Sequence, residues 1–205
     1  MIAVAITLLV LNLRVPAPDA AGTLSHRLVD LWPNYAAYVI SFVAIGIMWI
    51  NHHTMVRRLV GVDHSVLVLN LLLLLCIVVL PFSTSLFATY LDAPHGGHLA
   101  AVVYAASFLV TSSVFVAMQG HLLVRRPHLL RDVHPPGDTR AILRRAAIAP
   151  PAYLAAGAAG LVTPYLTLSI CVALGIFYLL RPPSAGQAAI ARTAELPSDE
   201  SRDSD

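Results

Sequence analysis

The chain has 205 residues, of which 58% are hydrophobic and 12% charged, far below the roughly 25% charge of a soluble globular domain. Its thirteen basic residues, all Arg, and its eleven acidic ones are clustered, leaving long uncharged stretches. This composition excludes an ordinary water-soluble domain and predicts an all-α, polytopic membrane protein.

The first element, about residues 1–14, is apolar from Met1 to Leu13 but supplies only about two-thirds of the roughly 20 residues that cross a hydrocarbon core. A cleaved signal peptide is the competing reading, since Ala17-Pro18-Asp19-Ala20 loosely imitates a cleavage site, but there is no basic region before the apolar run. Complete helical spans are predicted over 31–52, 65–90 and 99–124. The tract from Ala146 to Leu180 is too long for one span and is broken at Thr163-Pro164, which predicts two shorter helices over 146–162 and 164–180. These six spans make a transmembrane domain over 1–181. Residues 182–205, rich in Ser, Ala, Pro and acidic side chains without an apolar face, are expected to form a disordered cytoplasmic tail.

Positive charge orients the spans. Arg57 and Arg58 follow the second; Arg125, Arg126, Arg131, Arg140, Arg144 and Arg145 lie between the fourth and fifth; Arg181, Arg192 and Arg202 follow the sixth. The alternate connections hold only Arg14 and Arg27, and no Arg surrounds Asp92, His95 and His98. Six crossings of the cell membrane with both termini cytoplasmic satisfy every loop.

The uncharged stretches contain no Asp, Glu, Lys or Arg at membrane depth, which argues against a proton-coupled pump, an intramembrane hydrolase or an Arg-rich voltage sensor. Thr7, Asn70, Ser83 to Ser85, Ser107, Thr111 to Ser113, Gln119, Thr167 and Ser169 are expected to hydrogen-bond between helices or back to helix carbonyls. Cys76 and Cys171 fall inside spans and read as packing residues. His95-Gly96-Gly97-His98 has two-ligand spacing, yet its flexible glycines fit an exposed outer loop better than a closed metal centre. No metal or other cofactor and no enzymatic activity are expected, because no nucleophile, base and metal constellation is present. The two halves of the chain show no persuasive duplication of the kind many transporters carry.

The distinctive sequence lies in the first ninety residues: Ala3-Val4-Ala5-Ile6-Thr7-Leu8-Leu9-Val10-Leu11, then Leu31-Trp32-Pro33-Asn34, then Met48-Trp49-Ile50-Asn51-His52-His53, then Asp63, Asn70 and Leu80-Pro81-Phe82-Ser83-Thr84. Singly, each has a structural explanation: Pro33 suits a first helical turn, Trp32 and Trp49 suit membrane interfaces, and Pro81 can kink a span. In this order, they resemble the bacterial relatives of the endolysosomal potassium channel called transmembrane protein 175. The resemblance implies six-helix subunits, four of which surround a pore lined by their first helices, with an apolar constriction instead of a filter loop. It therefore implies a potassium-selective, leak-type channel whose partners are potassium ions, the lipid bilayer and further copies of itself in a homotetramer, with no nucleic acid. A small-solute transporter and a non-conducting membrane scaffold are the alternative functions.

Val4, Leu8 and Leu11 share one helical face, with Thr7 beside it. By resemblance these four are the pore-lining candidates, Val4 at the constriction and Thr7 at the neighbouring hydroxyl position. Asn51, His52 and His53 are expected to form a polar network that packs the first helix. Two departures from the family stand out. Asn12 occupies a place where relatives often carry an acid near the outer mouth. The family's Arg, three residues, then Phe-Ser-Asp is missing from the start, so an N-terminal truncation is expected, with that motif encoded in frame upstream.

Overall fold

A computed structural model describes residues 2–11, 16, 23–131 and 136–180. The expected tail over 182–205 and Asn12 lie outside the described residues. Among the described residues eight α-helices run in chain order: α1 (Ile2–Val10), α2 (Leu24–Asp30), α3 (Trp32–Arg57), α4 (His64–Tyr90), α5 (Gly97–Gly120), α6 (Pro136–Ala146), α7 (Ala149–Gly160) and α8 (Pro164–Leu179). No strand occurs among the described residues, only an isolated bridge between Leu59 and Leu130. The chain is thus an all-α, polytopic membrane protein. Three helices, α3, α4 and α5 with its extension to Arg125, are long and apolar enough among the described residues to cross a bilayer individually.

Local chemistry sets the boundaries. Pro33 stands in the first turn of α3, where its missing N–H costs nothing. Asp63 caps α4, its carboxylate accepting from the Val66 amide at 2.8 Å, the usual remedy for unpaired N–H groups at a helix start. Pro81 lies within α4 without ending it; Ser83 and Thr84 both donate to the Leu80 carbonyl, at 3.0 and 2.8 Å. Gly96 precedes α5 at φ 89, a left-handed conformation open to glycine. After Gly120 the helix widens into one π-turn, His121–Arg125, followed by a short 3-10 turn at Pro127–Leu129.

The boundaries of α3, α4 and α5 fall near the expected spans. Helices α7 and α8 are shorter, about 18 and 24 Å at 1.5 Å per residue, because prolines at 150, 151 and 164 set their starts. Two helices are additional to the expected six. Helix α2 joins α1 to α3, and α6 is a polar helix ending in Arg144 and Arg145. Neither has the apolar length of a membrane span.

Short connections make α3, α4 and α5 antiparallel neighbours. Helix α7 packs on α5 and α8, and α8 packs back on α3, while α1 rests on α4 and α3. At one end, Val60 N donates to Leu129 O at 2.9 Å and Arg131 N to Arg58 O at 2.7 Å, and the Tyr178 hydroxyl donates to Arg145 O at 2.9 Å. These bonds gather Arg57, Arg58, Arg125, Arg126, Arg131 and Arg145 at a single end. At the opposite end Tyr165 donates to Asp92 and stacks on Trp32 at 6.2 Å, while the His98 Nδ1–H donates to Gly160 O at 2.9 Å.

Between the ends, an aromatic column runs Phe87, Tyr104, Phe108, Tyr153, with successive ring centroids 4.7, 5.0 and 5.3 Å apart. Tyr104 is completely buried. Its phenol oxygen lies 3.0 Å from Ser41 Oγ, itself 2.9 Å from Thr84 Oγ1. Rings from α4, α5 and α7 and hydroxyls from α3 and α4 therefore meet at one point. Small residues let helices approach nearby: a Cβ on Gly160 would lie 2.9 Å from Ala101 Cβ and 2.7 Å from Thr167 Oγ1.

Candidate functional site: the first helix and its supports

Helix α1 has two differently employed faces. Ala5 and Leu9, four residues apart, are fully buried against the bundle, at 0% and 1% exposure. Val4, Leu8 and Leu11 are exposed at 57%, 39% and 76%. The residues named from helical spacing thus share a stripe turned away from the α3 and α4 contacts. Thr7 is exposed beside them, its hydroxyl donating to Val4 O at 2.8 Å. A hydroxyl that gives its one proton to its own helix keeps its oxygen lone pairs available. Such an oxygen can face a cation but cannot donate to an anion.

Asn51, His52 and His53 do not act together. Asn51 Nδ2 donates to Ile47 O within α3 at 2.9 Å, and His53 stacks on Trp49 of the same helix at 5.5 Å. His52 reaches another helix, Nε2 lying 2.9 Å from Asn70 Oδ1 on α4. Consecutive helical residues project about 100° apart, so three in a row cannot share one partner face. The expected grip on the first helix is therefore indirect: His52 and Asn70 join α3 to α4, and α1 rests on both.

A second support at the Arg-rich end escaped sequence reasoning. Asp63 Oδ2 lies 3.1 Å from Arg126 Nε and 3.5 Å from His121 Nε2. The carboxylate thus joins the start of α4 to the π-turn and the residue after it. Sequence treats Arg126 as one more loop charge, and its partner is far away along the chain. The only legible signal was Asp63 immediately before an apolar run, the mark of a helix cap.

The Val66 amide, and after it His121 and Arg126, hold the Asp63 carboxyl below its ordinary pKa despite partial desolvation. A lowered folded-state pKa means that its contribution to stability is complete above the unfolded value of about 3.9 and is lost as pH falls through the lower folded value. Accordingly, the stability gap between the native protein and Asp63→Asn is expected to be present at neutral and mildly acidic pH and to close beneath about pH 3.9. Thermal unfolding of both proteins across that range measures it. A gap that survived unchanged well below that pH would refute the assignment.

His95 and His98 do not converge. Both are exposed, and His98 bonds to Gly160 O. No group of three or more His, Cys, Asp or Glu side chains with metal-holding geometry occurs among the described residues.

Comparison with known proteins adds an independent line. Residues 1–81 match the family described as endosomal/lysosomal potassium channel TMEM175. A potassium channel of Streptomyces collinus is 38% identical over 176 residues, covering 86% of this chain and 85% of that protein. A potassium channel of Chamaesiphon minutus is 36% identical over 181 residues, covering 87% of this chain and 88% of that protein. The crystal structure of a lysosomal potassium-selective channel TMEM175 homolog from Chamaesiphon minutus superposes with a TM-score of 0.77 at 35% identity, over 88% of this chain and 91% of that one.

Proposed function

The chain belongs to the TMEM175 family, and from that premise we propose that it is a potassium channel subunit, of a leak type, whose first helix lines the pore of a homotetramer. The observation that carries this reading is the division of α1 into a packed face, Ala5 and Leu9, and a free face, Val4, Leu8 and Leu11. Lipid-facing helices also expose apolar side chains; what favours the pore here is that this stripe flanks the Thr7 hydroxyl in a chain similar over most of its length to potassium channels. Four such stripes facing one axis would enclose an apolar channel. A ring narrower than a hydrated ion forces partial dehydration, and Thr7 oxygens near it would replace part of the lost water.

The membrane placement follows the Arg distribution. We assign six crossings, with α1 the incomplete first and α3, α4, α5, α7 and α8 the rest. The Arg-rich end faces the cytoplasm, and with it both termini of a plasma-membrane protein. Similarity over 86% and 87% of the chain to the two bacterial potassium channels supports the channel reading.

Reconstituted into potassium-loaded liposomes, the purified protein is expected to release potassium with a current linear in driving force and without saturation. Saturating, substrate-specific flux would support a small-solute carrier instead. Vesicles that remain potassium-tight under every gradient would support a scaffold.

A further inference from the structure

The cytoplasmic half of the bundle holds a cavity of about 750 Å³ between α3, α5, α6, α7 and α8, distinct from the exposed stripe on α1. Protein interiors are close-packed, with few voids larger than a water molecule, and this volume is that of a ligand site. Its deeper wall is apolar, from Met48, Phe115, Leu122, Tyr153 and Leu174. Polar groups mark it as well. Gln119 faces it with Oε1 buried and without a hydrogen-bond partner among the described residues. Such an acceptor takes a donor from water or from a ligand that carries one, which a plain hydrocarbon lacks.

Charge sets the other half of the recognition. Arg58, at the end of α3, and Arg145, in the last turn of α6, also line the cavity. The Arg145 guanidinium stands 5.9 Å from the centre of the Tyr178 ring, an arrangement that orients its plane while using none of its N–H donors. Arg57, Arg125, Arg131, Arg140 and Arg144 share this end and outnumber its described acids, Asp138 in the first turn of α6 and Asp63, which Arg126 engages. An apolar slot within the bilayer, an Arg-bearing rim and one buried acceptor complement a hydrocarbon chain, an anionic phosphate and a hydroxyl. We propose that this cavity binds an anionic phospholipid of the adjacent leaflet, with an acyl chain against Phe115 and Leu174, the phosphate at Arg145, and a headgroup hydroxyl donating to Gln119.

The site does not depend on the ion pathway assigned to α1, so its test reads lipid and not current. Native mass spectrometry of the purified protein, titrated with phosphatidylglycerol or phosphatidylcholine of identical acyl chains, should show phosphatidylglycerol bound about fivefold more tightly, the preference one well-placed Arg supplies. Arg145→Gln should abolish that preference and Arg145→Lys restore part of it, while Arg140→Gln, whose side chain is exposed outside the cavity, should keep it. Gly175→Leu, which adds side-chain volume to the cavity wall, should lower occupancy by both lipids. In vesicles, a phosphatidylglycerol with a photoreactive acyl terminus should label Phe115 and Leu174 above the outward-facing Leu71 and Leu75. Equal binding of the two lipids, equal loss in Arg140→Gln and Arg145→Gln, competition by inorganic phosphate, or even labelling over Leu71 and Leu75 would each overturn the proposal. So would protection of Phe115 and Leu174 by a second copy of the chain.

Discussion

Replacing Val4 with Asn raises potassium flux through the reconstituted channel about tenfold, the change expected when a barrier falls by about 1.4 kcal/mol. Val4 is 57% exposed, so a side chain of the same approximate size can be exchanged without opening the packed face. What changes is the surface offered to water. In the proposed pore, four valines around an axis would form an apolar ring from which water withdraws, and the ion would cross without part of its hydration shell. Four carboxamides would hold water in place and shorten the dry interval. Val10→Asn is the control. Val10 is also exposed, at 48%, but it lies about 120° around the helix from Val4 at 100° per residue, off the Leu8 and Leu11 stripe. The expected result is increased flux and weakened selectivity in Val4→Asn, with near-native behaviour in Val10→Asn. Equal effects at both positions would mean that polarity anywhere on α1 perturbs the protein, and would remove Val4 from the constriction.

The contrast between those two valines also shows what a sequence can carry. Helices α3, α4 and α5 were legible because apolar length and flanking charge are local properties. The pairing of α7 with α8 was legible because prolines punctuate it. The stripe through Val4, Leu8 and Leu11 was legible as a stripe, since it needs only the helical repeat. Which stripe faces the bundle was not: Ala5 and Leu9 are as apolar as Val4 and Leu8, and only the positions of α3 and α4 distinguish them. The same holds for Asn51, His52 and His53. Their polarity is evident, but the step of roughly 100° between neighbours, together with the place of Asn70, decides that His52 alone of the three bonds to another helix. The tie from Asp63 to Arg126 and the cavity beside Gln119 are illegible for a further reason. They depend on several segments folding back to one end, where each charge has a role that depends on a partner distant in sequence. Helices α2 and α6 lack the apolar length by which the other helices were read.

The largest loss of stability from a single truncation is expected at Tyr104, and it separates two contributions that meet there. Tyr104→Ala removes a completely buried ring between Phe87 and Phe108 and leaves a hole that fixed helices cannot close. In water-soluble cores aromatic-to-alanine changes cost about 3–5 kcal/mol. Part of that figure is transfer from water, which weakens when the alternative to the core is lipid, because bundles in a bilayer are held mainly by packing contacts. The lower end, about 3 kcal/mol, is therefore expected. Tyr104→Phe keeps the column and deletes only the bond to Ser41, whose oxygen retains Thr84 at 2.9 Å. No buried partner is stranded, and the cost should be near the average of about 0.6 kcal/mol for an interhelical hydrogen bond in a membrane protein. Reversible unfolding in mixed micelles can measure both variants on one scale. A cost in Tyr104→Phe approaching that of Tyr104→Ala would make the hydroxyl chain from Ser41 to Thr84, and not the aromatic column, the element that holds α3, α4 and α5 together. The expected ratio instead assigns that part to the rings, with the hydroxyls fixing which residues of the three helices stand side by side.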